Sequence, residues 1–528
     1  MRSKGKVRRL AASRGVLGVA LIGAAGVQGT AVAGSLDVGG GFDAKYNLTL
    51  GYAAAMRTES PDSALTGPAA VNADDGDRNF DSGSLINNRA SLLAEFYLSR
   101  GGYGAVLRGD AFYDDVYHRR NDNDSPGTVN KAGDNDEFTD DARKYSGGRA
   151  RVLDAYVYGD WSLSDSVQLN LRGGRQVVAW GESLFFSGIA GAQGPADATK
   201  ANVPGAEIKN ILLPVAQVSG QLDIGSRTSL MAYYHLEYKP TELDPVGSYF
   251  SISDVTGPGR EFLTLGPGFA APYAGDIEPS DNGQYGVGVK VQVSGSTNVG
   301  LYRLRYHDTN PALSLNIAEV APGVFAPVSY NIGYFDGIDM TALSFSTRLG
   351  PANVAGEVSY REGINVLVDG PLGPTSSRGD LAQVLLSSLY TVPPNFLSQE
   401  IGLVGEAGYI HVEDFDKVAG GPGTLTNDKM AWGYSLIATL NYRNVFQGWD
   451  LAVPITWAHL PEGNPAMAGS FGSLYGQGDR RLSVAGNFTY LQNLQVGVSY
   501  NAYLGSATLA ERPYADRDYV AFNVKYAY

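Results

Sequence analysis

The last ten residues constrain this chain most. Val520, Phe522, Val524, Tyr526 and Tyr528 alternate with Tyr519, Ala521, Asn523, Lys525 and Ala527. A period of two over that length means a strand with one apolar and one polar face. The pattern recurs upstream. Leu482, Val484, Gly486, Phe488 and Tyr490 pass through a short Leu491-Gln492-Asn493 turn into Leu494, Val496, Val498, Tyr500 and Ala502. Alternation predicts eighteen strands, at about 43–56, 84–99, 103–117, 148–162, 166–178, 212–223, 227–239, 283–294, 297–308, 338–349, 353–362, 379–392, 399–412, 429–443, 449–460, 480–491, 494–505 and 517–528.

The connections alternate too. Short turns such as Arg100-Gly101-Gly102 and Gly350-Pro351-Ala352 take turns with long Gly-, Pro- and Asp-rich stretches. The long stretches are 57–83, 118–147, 179–211, 240–282, 309–337, 363–378, 413–428, 461–479 and 506–516. A soluble sandwich also alternates, but its loops are short at both ends. In hydrocarbon every backbone group must be paired internally, and strands achieve that only as a closed sheet. Long loops on one side and short turns on the other are the pattern of bacterial outer-membrane barrels. The predicted fold is therefore all-β: a transmembrane antiparallel β-barrel of about 18 strands, with short periplasmic turns and long extracellular loops. An even count brings both ends to the periplasmic side. Trp432, Tyr442 and Trp457 near strand ends fit an aromatic girdle. The last strand, with Phe522, Tyr526 and the terminal Tyr528, is the expected C-terminal signal for the barrel-assembly machinery.

Composition agrees. Among 528 residues there are 68 glycines, 32 tyrosines and no cysteine, and only 18% are charged, below the usual quarter. Without cysteine there is no disulfide, thiol nucleophile or thiolate metal site. Residues 1–33 hold all six basic residues of a leader and no acid, so the rest carries 34 basic against 54 acidic residues. So acidic a chain excludes nucleic acid as a partner, because phosphate binding needs a basic surface. The leader itself has a basic start, an apolar run from Val16 to Val27 and Ala31-Val32-Ala33. That run is too short to span a bilayer, and the pattern predicts a signal peptide over 1–33, cut between Ala33 and Gly34. The mature barrel, 34–528, is expected in the outer membrane of a Gram-negative bacterium, in contact with lipid and lipopolysaccharide.

Several motifs resemble one family. They include Gly174-Arg175-Gln176-Val177-Val178-Ala179-Trp180-Gly181-Glu182-Ser183, Arg108-Gly109-Asp110-Ala111-Phe112-Tyr113 and Pro204-Gly205-Ala206-Glu207-Ile208-Lys209. Thr241-Glu242-Leu243-Asp244-Pro245, Val354-Ala355-Gly356-Glu357-Val358-Ser359-Tyr360-Arg361 and Leu403-Val404-Gly405-Glu406-Ala407-Gly408-Tyr409 extend it across nearly the whole mature chain. The chain resembles the proteobacterial outer-membrane family called domain of unknown function 1302. The resemblance implies a barrel that works with a periplasmic lipid-carrier-like protein and an inner-membrane pump of the resistance-nodulation-division type. It also implies traffic of hydrophobic compounds.

If the apolar face meets lipid, parity sends charges into the lumen, because a charge at mid-membrane on the lipid face costs about 2–4 kcal/mol. The residues expected inside are Arg89, Glu95, Arg108, Asp110, Asp114, Asp154, Arg172, Glu237, Lys290, Arg303, Arg305, Arg348, Glu357, Arg361 and Glu406. They either pair and stiffen a plugged barrel or form a constriction that sorts solutes. Arg108 and Asp110, two apart on one strand, are expected to be neighbours within one lumen charge network. Loops 179–211 and 240–282 exceed plain connectors. Trp180, Glu182, Phe185 and Phe186 in the first, and Tyr249 and Phe250 in the second, mark them as inward-folding or capping loops.

Asp75, Asp77 and Asn79 have calcium-loop spacing. Phe80 stands where an EF-hand needs glycine and Ile86 where it needs glutamate, so they make only a weak surface calcium candidate. No Gly-x-Ser-x-Gly elbow occurs, and the five histidines fall on separate strands. No catalytic activity, cofactor or metal centre is expected. The predicted function is passage of a small hydrophobic compound. The alternative is a non-conducting structural or surface-interaction barrel whose long loops bind a partner.

Overall fold

Each alternating run pairs antiparallel with the next in sequence, and the last closes on the first. A computed structural model describes residues 34–206, 211–371 and 373–528; the expected leader, and Glu207 to Lys209 of one motif, lie outside them. The barrel strands are β1 (Asp43–Arg57), β2 (Leu85–Arg100), β3 (Tyr103–Asp114), β4 (Gly148–Ser164), β5 (Val167–Gln176) and β6 (Val215–Ile224). They continue as β7 (Thr228–His235), β8 (Tyr285–Gln292), β9 (Thr297–Tyr306), β10 (Ile338–Leu349), β11 (Ala352–Gly370) and β12 (Gly373–Val392). The last six are β13 (Glu400–Phe415), β14 (Met430–Phe446), β15 (Trp449–Glu462), β16 (Arg480–Tyr490), β17 (Leu494–Leu504) and β18 (Tyr519–Ala527). β18 pairs with β1 from Thr49 opposite Ala527 to Arg57 opposite Tyr519, which closes the sheet. The fold is thus a closed eighteen-stranded antiparallel β-barrel. A short strand, Gly34–Leu36, pairs antiparallel with the start of β1, beyond the end of β18. No helix among the described residues is long and apolar enough to cross a membrane.

Side chains sort by parity as a pleated wall requires. On β13, Glu406, Ile410 and Val412 are buried inward, while Leu403 and Tyr409 are exposed outward. Leu92, Leu107, Val157, Leu386, Leu436 and Val498 make an exposed outer belt. Aromatic pairs sit at its ends: Tyr103 with Trp161, Trp449 with Tyr490 and Tyr46 with Tyr528 at the short-turn side, Trp432 with Tyr434 at the other. Such girdles mark the two membrane interfaces.

Three stretches expected as loops contain strands. The alternation of β11 and β12 runs on through 363–378, with the ladder continuing to Gly370 opposite Gly373. A bulge after Arg361 shifts the register, and Gly363 takes φ +81° there, a conformation glycine tolerates. Past the bulge Ile364, Val366 and Val368 face inward, each at most 1% exposed. The extracellular stretches 240–282 and 309–337 contribute a separate sheet of Phe262–Gly266, Phe269–Ile277, Ala312–Ala321 and Val324–Gly333.

Candidate functional site: an inward-folded segment held by wall carboxylates

The segment after β5 turns into the lumen instead of outward. An irregular segment buried in a barrel brings backbone N–H groups that need acceptors. Two wall glutamates supply them. Glu357 on β11 accepts from the amides of Glu182, Ser183 (2.8 Å) and Ile189 (2.8 Å). Glu406 on β13 accepts from Leu184 (2.9 Å), Phe185 (2.6 Å) and Phe186 (2.8 Å). The two carboxylates are 3% and 2% exposed. Between them, Arg361 donates to the carbonyls of Gly188 (3.0 Å) and Ser187 (3.4 Å) and to Gln383 Oε1 (2.6 Å). Glycine is required where the chain touches Glu357. A Cβ on Gly181 would lie 2.3 Å from one carboxylate oxygen, and one on Gly188 would lie 2.2 Å from the other.

The side chains of the segment pack into the lumen. Leu184, Phe185, Phe186 and Ile189 join the inward Tyr233, Tyr302, Leu304, Met340, Leu385 and Ile410 in one apolar cluster. Trp180 packs on Tyr233 and Tyr302 with ring centroids 5.1 and 5.9 Å away. Phe186 meets Phe471 edge-on at 5.3 Å. Glu182 pairs with Lys290 on β8 at 2.7 Å.

A second anchor holds the far end of this segment and the start of the next loop. Arg149 and Arg151 on β4 reach inward to Asp197 and Glu242. Arg149 lies 2.7 Å and Arg151 2.9 Å from Glu242, and Lys239 3.3 Å. Arg151 and Lys200 both bind Asp110. Burial alone would raise the Glu242 pKa, but Arg149, Arg151 and Lys239 outweigh it and hold the carboxyl below its ordinary value.

A third knot ties loops together at the extracellular mouth. Arg57 and Arg517 share Asp77 and Asp516, with contacts of 3.1 and 3.0 Å from Arg57 and 2.7 and 3.5 Å from Arg517. Both arginines are fully buried against the Tyr249 ring. Tyr249 also meets Phe80, and Phe250 packs on Tyr519 of β18. Loop 240–282 thus folds over the mouth while residues 179–206 enter the barrel.

Of the charges expected inside, the structure places twelve there. Arg89 pairs with Asp114 (3.4 Å) and lies 4.0 Å over the Phe112 ring. Glu95 accepts from Asn47 (3.0 Å). Arg172 lies over the Tyr156 ring, and Arg348 donates to the Gly350 carbonyl at the periplasmic end. Arg108 and Asp110 do not pair with each other: Arg108 takes Asp154 (2.6 Å) and Asp110 takes Arg151 and Lys200. Asp110 stands in register with Arg151, and Arg108 lies opposite the bulge that presents Asp154, so neighbouring-strand partners win over one two residues away on the same strand.

Three expected lumen charges are elsewhere. Arg303 and Arg305 face outward, bound to Asp339 at 3.1 and 2.8 Å, because Tyr302, Leu304 and Tyr306 are drawn inward to the apolar cluster. The pair lies in the last turns of β9 before a long loop, where a charge on the outer face costs little. Glu237 pairs with Arg175 (2.6 Å), which stands in register with the exposed Ala155, so it is a rim contact. The calcium-spaced residues also part company. Asp77 joins the arginine knot, Asn79 donates to the Gly247 carbonyl, and Asp75 turns toward Asp254.

Arg149 and Arg151 were not legible by parity. With Asp154 inward, strict alternation sends both outward. A bulge in β4 opposite Arg108 changes the phase, so that all three point in. Across the lumen from the glutamate-held segment, β18, β1 and β2 present small inward residues: Thr49, Gly51, Ala53, Ser91 and Asn523. They border a cavity of about 90 Å³, closed on its other side by Lys200 and Val203 to Ala206.

A closed barrel with lipid-facing apolar residues, two aromatic girdles and an inward-held loop is an outer-membrane-type β-barrel. The chain belongs to the family described as Protein of unknown function (DUF1302), which matches residues 14–528. No curated protein matches it. Among solved structures, Acinetobacter baumannii OccAB1 is similar at 10% identity, covering 95% of this chain and 98% of that one, with a TM-score of 0.43. Pseudomonas aeruginosa OccK2 (OpdF) in complex with glucuronate is similar at 12% identity over 92% and 97%, with a TM-score of 0.39. The outer membrane channel DcaP of Acinetobacter baumannii is similar at 11% identity over 92% and 98%, with a TM-score of 0.37.

Proposed function

We propose that this protein is a non-catalytic outer-membrane channel that passes a small, largely hydrophobic solute beside the inward-held segment. One observation carries the reading. Glu357, Glu406 and Arg361 hold residues 182–189 against one side of the lumen, and across from them Thr49, Gly51, Ala53, Ser91 and Asn523 leave a small cavity beside Arg89, Phe112 and Lys200. A water-insoluble solute needs a carrier through the periplasm, so a lipid-carrier-like protein and an inner-membrane pump are the partners this reading calls for. The second reading, a surface-interaction barrel, draws on the extracellular sheet, where Phe325, Val324 and Ile277 are more than half exposed.

Planar-bilayer conductance and growth on hydrophobic carbon sources test the proposal together. The purified barrel should conduct in small steps, and Ala53→Trp should lower the step size by filling the small-residue wall. A deletion strain should lose growth on at least one hydrophobic carbon source, and Ala53→Trp should not restore it. A folded wild-type protein with no conductance, and a deletion strain with no growth defect, would favour the surface-interaction reading.

A further inference from the structure

A set of acidic groups near the mouth belongs to none of the three anchors. Asp74 and Asp75 lie in the β1–β2 loop and Asp254 in the β7–β8 loop. A carboxylate oxygen from each lies within 4.8 Å of those of the other two. All three residues are at most 1% exposed. Such like charges, packed together out of water, repel and are poorly solvated. Their neighbours do not answer the charge. Arg78 binds Asp74. Neither Asp75 nor Asp254 makes an ion pair among the described residues, and Lys131 gives its ammonium to the Asp134 carbonyl.

The hydrogen bonding is one-sided in the same way. Asp74 Oδ2 takes Arg78, Asp75 Oδ1 takes Asn123 Nδ2 at 3.5 Å and Asp254 Oδ2 takes the Asp75 amide at 3.3 Å. The other oxygen of each, Asp74 Oδ1, Asp75 Oδ2 and Asp254 Oδ1, is buried with no hydrogen-bond partner among the described residues. Asn130 Oδ1 is a further buried oxygen without a hydrogen-bond partner among the described residues. Asn130 Nδ2 meanwhile ties Asn72 to the Phe262 and Thr264 strand. Buried polar atoms in folded proteins are nearly always satisfied, so a cluster of oxygens lacking donors asks for a cation.

We propose that Asp74, Asp75 and Asp254 bind one calcium ion, which locks the β1–β2 and β7–β8 loops together over the barrel mouth. Calcium fits the donor set. It accepts six to eight oxygens in irregular geometry, whereas magnesium demands near-ideal octahedra and keeps most of its water. The site faces the cell exterior, where sites with dissociation constants of about 10⁻⁴–10⁻³ M are filled. It is not the spaced set Asp75, Asp77 and Asn79, of which only Asp75 takes part.

Isothermal titration of the full-length, EDTA-treated and dialysed barrel in detergent with calcium chloride decides the matter. One calcium per chain is expected, with Asp254→Asn and, separately, Asp75→Asn weakening it at least tenfold. Asp140→Asn, whose carboxylate is wholly exposed, should leave binding unchanged. Heat-modifiable migration on SDS gels verifies that each variant is folded. Calcium should also slow trypsin cleavage of the mouth loops in wild type and not in Asp254→Asn. Absence of binding by folded wild type, undiminished binding by folded Asp254→Asn, equal loss in Asp140→Asn, or magnesium bound as tightly as calcium would each overturn the assignment.

Discussion

Six backbone amides of one segment end on two carboxylates, and that arithmetic makes Glu357 and Glu406 the most consequential side chains in the lumen. A hydrogen bond to a charged group contributes about 1.5–3 kcal/mol, and an amide left buried without an acceptor costs a similar amount. Glu406→Gln keeps the shape but can accept on only one of its two termini. It should destabilise the inward segment by about 2–4 kcal/mol, seen as larger and noisier conductance steps with the barrel still resistant to SDS; unchanged steps would mean that apolar packing alone holds the segment. Glu242 supplies the pH dependence. Its folded pKa lies below the unfolded value, so its stabilisation is present above the ordinary glutamate range and is lost as pH falls through the depressed folded value. The melting temperature followed by circular dichroism should fall as pH drops below about 4.5, and Glu242→Gln should flatten that part of the curve. A variant that keeps the full acid dependence would place the titration elsewhere.

At the scale of the strand, alternation was legible wherever it ran unbroken, and failed at bulges. All eighteen strands follow from period-two patterns because lipid on one side and water or plug on the other enforce them. One extra residue in β4 hid Arg149 and Arg151, and another in β11 made 363–378 read as a loop behind Gly363. Arg303 and Arg305 misled for a different reason. In the upper half of β9 the lumen face is apolar, because it packs on the inward segment, so polarity no longer tells inside from outside. The long loops were recognisable as folded by their aromatics, but nothing local reveals that Glu182 to Ile189 would find acceptors some 170 to 220 residues away. The corrected facing of β9 is open to test because the chain has no cysteine. Single cysteines in place of Arg303 or Arg305 should react with a membrane-impermeant maleimide on intact cells. Cysteines in place of Tyr302 or Leu304 should stay unlabelled until the protein is denatured. The reverse pattern would return those arginines to the lumen.

For the whole molecule the decisive contact is the seam between its two ends. A barrel owes its stability in hydrocarbon to having no unpaired edge, so each strand is as necessary as the last. β18 makes ladders on both sides: Val524 stands opposite Tyr52 of β1 and Val496 of β17. Its side chain is on the lipid-facing or lumen-facing surface like any other, but its backbone belongs to the seam itself. Proline at this position removes the N–H that the ladder uses and puts a ring where a neighbouring strand must approach, so it is not tolerated in the middle of a sheet. The loss is larger in consequence than in magnitude, because an open seam exposes backbone groups to lipid all along β1 and β18. Val524→Pro should abolish the fast-migrating, SDS-resistant form on unboiled gels, while Val524→Ala should retain it with a slightly lower melting temperature. The same proline in Phe325, on the extracellular sheet that stands apart from the barrel ladder, should leave the fast-migrating form intact. If Val524→Pro still gave that form, the barrel would not depend on the β1–β18 seam, and closure would have to be sought at another pair of strands.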